Sequence, residues 1–129
     1  NWKDGLLPAD MRAPFESHLG LETQPHSMGY DFNEINTDDF VALCKEIGAE
    51  PFITINPTWN TEEECAQWVE YCNGDADTEY GRIRIERGYK EPYNVKYWSL
   101  GNEFGYGHME GDNTAAGYGK NGKRYGKRC

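Results

Sequence analysis

The sequence has no apolar run that approaches the roughly 20 residues needed for a membrane-spanning helix, so we predict no membrane partner. Basic residues are also scarce. The 129-residue chain has 13 Lys and Arg against 22 Asp and Glu, for a formal net charge of −9. Proteins that bind nucleic acid need a basic stripe to displace counterions from the phosphates. The charge balance therefore predicts no nucleic-acid partner.

The chain has only four cysteines, and their positions do not indicate a disulfide framework. Cys65 and Cys72 lie on one predicted helix, about 10 Å apart along its axis at a rise of about 1.5 Å per residue. That separation is too large for a disulfide bond. Cys44 falls on the apolar face of another predicted helix. We interpret the cysteines as buried free thiols, which favours a reducing, cytoplasmic compartment.

Metal-binding patterns are also missing. The acidic residues between Asp75 and Glu86 superficially resemble a calcium-binding loop, but Tyr80 replaces the glycine that such a loop requires. His18 and His26 have no partners at metal-ligand spacing. We therefore predict neither a metal nor a cofactor.

The first 30 residues show no sustained hydrophobic period, and they contain Pro8, Pro14 and Pro25. We interpret residues 1–30 as a long irregular loop, and such loops in compact domains are usually functional or disordered. A helix is predicted next, with Thr37 as its N-cap and two aspartates in its first turn. Its apolar face consists of Phe40, Val41, Leu43, Cys44 and Ile47. Gly48 is predicted to end this helix.

The centre of the chain alternates between strand and helix patterns. Residues 50–56 form a short β-rich run that ends before Pro57, which predicts a strand. Thr61 and Glu64 have the spacing of a capping box, and they predict the start of a helix that ends near Gly74. Its apolar positions recur at helical spacing: Cys65, Trp68, Val69 and Cys72.

A polar insert follows, with a short helix predicted around residues 80–87, and residues 95–100 form a second predicted strand. The order helix, strand, helix, strand predicts parallel strands joined by a right-handed crossover. The fold class is therefore α/β, and periodicity alone leaves both a doubly wound sheet and a barrel open.

Glu103 is the first candidate for catalysis. It follows the carboxyl end of the second predicted strand, where functional side chains gather in barrels and open α/β sheets. The flanking aromatic residues Phe104 and Tyr106 would partly desolvate its carboxyl group. Desolvation raises a carboxyl pKa, which suits a general acid. Asn102 could donate a hydrogen bond to a sugar hydroxyl. The alternative is a solvated glutamate at a junction between strand and loop.

Several segments, in their order and spacing, resemble glycoside hydrolase family 51, the α-L-arabinofuranosidases. They are residues 1–5 (Asn-Trp-Lys-Asp-Gly), 38–40 (Asp-Asp-Phe), 47–51 (Ile-Gly-Ala-Glu-Pro), 68–74 (Trp-Val-Glu-Tyr-Cys-Asn-Gly), 88–98 (Gly-Tyr-Lys-Glu-Pro-Tyr-Asn-Val-Lys-Tyr-Trp) and 100–103 (Leu-Gly-Asn-Glu). The resemblance covers about residues 1–119. After Glu103 the chain departs from the family, because Phe-Gly-Tyr replaces the usual Met-Asp-Gly.

The resemblance implies a fold and a mechanism. It implies a partial (β/α)₈ TIM barrel covering about strands 2, 3 and 4 with their helices, in which residues 1–30 form the loop after the second strand. It also implies that Glu103 is the general acid/base of a retaining glycosidase and that Asn102 binds the 2-hydroxyl of the sugar. The family's nucleophilic glutamate lies on the seventh strand, and nothing in this chain matches it.

The implied substrate is a saccharide with terminal α-L-arabinofuranosyl groups. We predict further substrate contacts from Trp59, Phe104 and Tyr106, although core or loop packing explains Trp59 about equally well. Because a retaining mechanism needs two carboxyl groups, we expect the isolated chain to be inactive. Another retaining enzyme of xylosidase or glucuronidase type, and an inactive carbohydrate-binding or structural fragment, are the alternatives.

The last segment has a different composition. Residues 120–129 are rich in glycine and basic residues and show no apolar period, which predicts a disordered or non-native tail. A basic arm for nucleic acid is the less favoured interpretation of the tail. We place the glycosidase fragment at residues 1–119. A partial barrel leaves strand edges unpaired, so we expect self-association or pairing with the missing part of the barrel.

Overall fold

The computed structural model describes residues 1–16, 30–57, 60–102 and 114–128. The chain divides into two compact units, Asn1–Ile47 and Gly48–Cys129. In the part of the chain that is described, no helix is long and apolar enough to cross a membrane.

The first unit contains more regular structure than its sequence predicts. Two short 3₁₀ helices span Trp2–Leu6 and Ala9–Met11. Strand β1 (Phe15–Glu16) pairs antiparallel with β2 (Tyr30–Asp31). The irregular loop predicted over residues 1–30 is therefore partly ordered, and residues 17–29 lie outside the described residues.

Helix α1 (Thr37–Glu46) begins with Asn36 as its N-cap rather than Thr37, so the predicted cap is wrong by one residue. The Asn36 side chain accepts a hydrogen bond from the Asp39 amide, and the Asp39 carboxylate accepts one from the Asn36 amide. Asn36 also donates to the Gly5 carbonyl oxygen. The amide side chain has a donor as well as an acceptor, so Asn36 can cap the helix and hold the first segment at once.

The apolar face predicted for α1 is only partly buried. Cys44 is buried, whereas Leu43 and Ile47 are 52% and 67% exposed. Gly48 ends the helix as predicted, with φ of +71°.

The second unit is an α/β arrangement. Its elements are β3 (Phe52–Ile55), α2 (Glu62–Asn73), α3 (Glu79–Glu86), β4 (Tyr97–Leu100) and α4 (Ala115–Gly126). Strands β3 and β4 pair in parallel, with Phe52 opposite Tyr97 and Ile55 opposite Leu100. The predicted α/β class, the two strands and their parallel direction are confirmed.

The two faces of this sheet have different surroundings. Ile53 and Ile55 are buried on one face, because side chains alternate along a strand. The core cluster on that side consists of Ile55, Cys65 and Tyr125, with Trp68, Val69, Trp98 and Leu100 packed against it. On the other face, Phe52 and Tyr97 are 60% and 54% exposed. The described helices therefore cover only one face of the sheet.

The predicted capping box starts helix α2. The Thr61 hydroxyl accepts a hydrogen bond from the Glu64 amide at 3.1 Å, and the Glu64 carboxylate accepts one from the Thr61 amide at 2.8 Å. The cysteines in the described residues are free and buried, as predicted, and they are Cys44, Cys65 and Cys72.

Helix α4 includes residues 120–126, for which the sequence predicts a disordered or non-native tail. Thr114 caps it by accepting from the Gly117 amide, and Tyr125 is buried in the core cluster. Four of its 12 residues are glycine, and each glycine weakens a helix by about 1 kcal/mol relative to alanine. Contacts with distant residues, rather than local propensity, therefore stabilise α4.

Arg84 of α3 is fully buried and connects α2 to the segment before β4. Its Nη1 atom donates to the carbonyl oxygens of Tyr71 and Gly74 at 2.8 and 2.9 Å, and its Nε atom donates to Tyr89 O. The guanidinium carbon lies 5.8 Å from the centroid of the Tyr93 ring. This side chain satisfies carbonyls at the C-terminal end of α2, which have no partner within the helix.

We expect Arg84→Met to lower the free energy of unfolding by about 2–4 kcal/mol, because buried carbonyl oxygens would lose their donors. Urea denaturation followed by circular dichroism measures the change. The matched control is Arg82→Met, since the exposed Arg82 is on the same helix and donates only to Asp77 O at 3.3 Å. Equal, small effects of both substitutions would contradict this role for Arg84.

Candidate functional site

The parallel pairing brings the carboxyl ends of β3 and β4 to one edge of the sheet. The Gly101 amide donates to the Ile55 carbonyl oxygen at 2.7 Å, and this bond extends the pairing by one residue. Gly101 has φ of +80°, a conformation that other residues adopt only with strain. The Ser99 hydroxyl donates to the Gly101 carbonyl oxygen at 3.1 Å. These contacts fix the turn that leads into Asn102.

Asn102 is exposed directly after this turn, at the carboxyl edge where the sequence predicted a site. The other predicted site residues, Glu103, Phe104, Tyr106 and Trp59, lie outside the described residues. Glu103 follows Asn102 in the chain. Its role and those of the other candidates remain predictions.

The segment after β3 starts from the same edge. The Asn60 amide donates to the Asn56 carbonyl oxygen at 3.1 Å. The hydroxyl of Tyr125 donates towards the carbonyl oxygens of Pro57 and Asn60, at 3.1 and 3.0 Å. Burial, followed by the nearby Cys65, raises the pKa of the Tyr125 phenol above its usual value. The phenol therefore keeps its proton at neutral pH and remains a donor.

Two pairs of oppositely charged side chains lie near Tyr125. Arg124 pairs with Glu62, and Arg128 lies 3.8 Å from the carboxylate of Glu63. Acidic residues in the first turn of α2 and basic residues at the end of α4 each suit the dipole of their own helix. Between the two helix ends lies an open cleft of about 550 Å³, lined by Pro57, Asn60, Thr61, Glu62, Glu63, Arg124, Tyr125 and Arg128.

The carboxylates of Glu62 and Glu64 have structural partners. Glu64 caps α2 and Glu62 pairs with Arg124. Both carboxylates are therefore engaged at the start of α2. Within the described ranges, no three His, Cys, Asp or Glu side chains group as metal ligands.

Sequence reasoning missed Tyr125. The glycines of α4 obscure any apolar period, so the sequence predicts a tail over residues 120–129. One signal was available, because Thr114 precedes two alanines and has the character of an N-cap.

Comparison with known proteins identifies α-L-arabinofuranosidases as relatives of this chain. A family profile described as "Alpha-L-arabinofuranosidase 1 domain" matches residues 1–126. The chain is 43% identical over 105 residues to α-L-arabinofuranosidase C of Emericella nidulans, covering 80% of this chain and 19% of that protein. It is 35% identical over 127 residues to an intracellular exo-α-(1→5)-L-arabinofuranosidase of Halalkalibacterium halodurans, covering 98% of this chain and 24% of that protein.

Solved structures of α-L-arabinofuranosidases are also similar to this chain. The chain matches the GH51 α-L-arabinofuranosidase of Thermotoga petrophila with a TM-score of 0.82 and 38% identity, over 98% of this chain and 25% of that one. An arabinose complex of the Thermotoga maritima enzyme matches with a TM-score of 0.80 and 39% identity, over the same shares. The chain thus spans about a fifth to a quarter of the length of these relatives.

We expect Gly101→Ala to destabilise the fold by about 1–2 kcal/mol, because a Cβ atom is strained at this positive φ. Thermal unfolding measures the effect. The control is Gly119→Ala within α4, where an added Cβ has nothing within 4 Å and φ is not positive. This control should stabilise the protein by up to about 1 kcal/mol. A Gly101→Ala variant as stable as the parent would show that the turn is not fixed.

Proposed function

This chain belongs to glycoside hydrolase family 51, the α-L-arabinofuranosidases, and we propose that it is part of a retaining enzyme in which Glu103 is the general acid/base. The observation that carries the proposal is the position of the Gly101 turn at the carboxyl edge of two parallel strands. In barrels this edge supplies the catalytic residues. The proposed substrate is a saccharide with terminal α-L-arabinofuranosyl groups.

The proposed fold is a partial (β/α)₈ barrel in which β3 and β4 are the third and fourth barrel strands. In a closed barrel the helices cover the outer face of the strands, and the inner face is filled by side chains from all the strands. The uncovered face with Phe52 and Tyr97 matches such an inner face. Because α4 packs on the outer side through Tyr125, we extend the proposed barrel fragment to residue 126.

The proposed mechanism needs two carboxyl groups about 5–5.5 Å apart. Glu103 would protonate the leaving glycosidic oxygen while a second carboxylate attacks the anomeric carbon. Glu103 would then remove a proton from the water that hydrolyses the glycosyl–enzyme ester. Asn102 would bind the sugar 2-hydroxyl, and Trp59, Phe104 and Tyr106 would contact the sugar or the leaving group.

The nucleophile is proposed to come from a part of the barrel outside this chain. Glu62 and Glu64 are not proposed as the nucleophile, because their carboxylates already serve an ion pair and a helix cap. We propose that the exposed side chains of Phe52 and Tyr97 pack against the rest of the barrel. When the rest of the barrel is absent, this exposed apolar surface would favour self-association.

The test is a chimera in which residues 1–126 replace the matching segment of the Thermotoga petrophila enzyme. We expect the isolated chain to release no 4-nitrophenol from 4-nitrophenyl α-L-arabinofuranoside and the chimera to release it. Glu103→Gln in the chimera should lower kcat on an arabino-oligosaccharide about 10²–10⁴-fold, the usual contribution of a general acid. The loss in kcat/KM, which reports formation of the glycosyl–enzyme ester, should be smaller on the aryl substrate, whose leaving group needs little protonation.

Glu91→Gln is the matched control, since Glu91 is an exposed carboxylate distant in sequence from the turn, and its activity should equal that of the parent chimera. An active isolated chain would refute the proposal that the nucleophilic carboxylate lies outside this chain. A chimera that cleaves only xylosides or glucuronides would refute the proposed sugar. A well-folded but inactive chimera would favour a binding or structural role.

A further inference from the structure

The side chain of Asn73, the last residue of α2, holds the backbone just before β4. Its Oδ1 atom accepts a hydrogen bond from the Val95 amide at 2.8 Å, and its Nδ2 atom donates to the Val95 carbonyl oxygen at 3.0 Å. We propose that Asn73 is a positioning residue that sets the register of β4 against β3 and thereby sets where Asn102 leaves the sheet. The effect on substrate rests on the proposed function, whereas the effect on β4 rests on geometry alone.

The burial of β4 does not by itself select one register. Along β3, exposed and buried residues alternate, so a shift of one residue would bring Ile53 and Ile55 to the exposed face. Along β4 this alternation is missing, because Tyr97 is exposed and the three residues after it are all partly buried. The register of such a strand is weakly specified by its own side chains. Contacts with other elements therefore have to position β4.

Other side-chain contacts near the start of β4 are weaker or local. Lys96 pairs with Glu50 at 2.9 Å, but both side chains are more than half exposed, and exposed ion pairs contribute little. The ring nitrogen of Trp98 donates to the Val95 carbonyl oxygen at 3.0 Å, but both residues move together with the strand. The Asn73 side chain differs, because two hydrogen bonds connect a residue that is 3% exposed to a separate helix.

The backbone turn before β4 directs two amides to the last turn of α2. Asn94 has φ of +55°, in the left-handed region that asparagine adopts more readily than most residues. Before this turn, the Tyr93 amide donates to the Cys72 carbonyl oxygen at 2.7 Å. After it, the Val95 amide donates to Asn73. The segment is thus attached to α2 on both sides of the turn, and Asn73 makes the attachment nearer to β4.

The far end of β4 reports whether the register is kept. In the observed register, the Gly101 amide donates to the Ile55 carbonyl oxygen at 2.7 Å, and the exposed Asn102 follows directly. A shift of one residue moves a strand by about 3.3 Å along its axis, which is more than a hydrogen bond tolerates. Asn73 therefore affects the proposed contact between Asn102 and the sugar through the strand, without touching the sugar.

The first test is amide hydrogen exchange of this chain with Asn73→Ala, which removes both hydrogen bonds to Val95. We expect exchange of the Gly101 amide to become about fivefold faster, because loss of register removes its acceptor. Exchange of the Cys65 amide, which donates to Thr61 O at the other end of α2, should stay as in the parent. Asn73→Asp should repeat this result, because its second oxygen repels the Val95 carbonyl oxygen.

Asn94→Asp is the matched control for Asn73→Asp. It makes the same chemical change at an exposed residue whose side chain donates to Pro92 O, two residues away, at 3.2 Å. Aspartate also tolerates the left-handed conformation, so exchange at Gly101 and Cys65 should stay as in the parent.

Unchanged exchange at Gly101 in Asn73→Ala would overturn the proposal. Equal increases at Gly101 and Cys65, which global unfolding would also give, would overturn it too, because they would assign Asn73 a general stabilising role. An effect confined to Asn73→Asp would be due to the added charge and would likewise contradict the proposal.

The second test is a double-mutant cycle in the chimera described above, with Asn73→Ala and Asn102→Ala. We expect Asn73→Ala alone to lower kcat/KM about fivefold. In combination with Asn102→Ala its effect should be smaller, because the contact that it displaces is already absent. Asn94→Asp should keep the activity of the parent chimera.

Additive losses in this cycle, or no loss from Asn73→Ala, would overturn the link to substrate. A chimera with no activity in any form would refute the proposed function, while the exchange result would still decide whether Asn73 positions β4.

Discussion

The parallel pairing of β3 with β4 is the constraint on which the rest of the second unit depends. It aligns Ile55 with Leu100, so both strands end at the same level and the Gly101 amide can reach the Ile55 carbonyl oxygen. The same pairing puts Ile53 and Ile55 on the face that the helices cover and leaves Phe52 and Tyr97 on the other. One backbone arrangement thus determines both the position of the candidate site and which face of the sheet the described helices leave uncovered.

Several charged side chains in the second unit have structural partners. Arg84 donates to backbone carbonyls, Glu64 caps α2, and Glu62 pairs with Arg124. Lys96 pairs with Glu50 at 2.9 Å, and the hydrogen bond to Glu50 raises the Lys96 pKa. The carboxylates of Glu50, Glu62 and Glu64 are therefore engaged in contacts within the fold.

Local sequence signals predicted the elements that depend on local contacts. The Thr61 and Glu64 capping box, the short helix near residue 80 and both strands were predictable, because each pattern acts within a few residues. The Asn36 cap is also local, but Asn36 and Thr37 both suit an N-cap, and only the structure shows that Asn36 bonds the Asp39 amide. Helix α4 depends on distant contacts: its glycine content disfavours a helix, whereas the burial of Tyr125 against Ile55 and Cys65 and the pairing of Arg124 with Glu62 stabilise it. For the site, sequence placed Asn102 at the correct edge but could not find Tyr125, whose partners lie more than 60 residues away.

The role of Glu103 is tested most directly by azide rescue of Glu103→Ala in the chimera with an activated aryl arabinofuranoside. Such a substrate forms the glycosyl–enzyme ester without protonation of its leaving group, but the ester would then persist because no base activates water. Azide needs no base, and it attacks the anomeric carbon as the nucleophilic carboxylate leaves. We expect azide to restore turnover and to give α-L-arabinofuranosyl azide, with the configuration of the substrate. Failure of azide to restore turnover, or formation of the β-anomer, would contradict the assignment of Glu103 as the general acid/base.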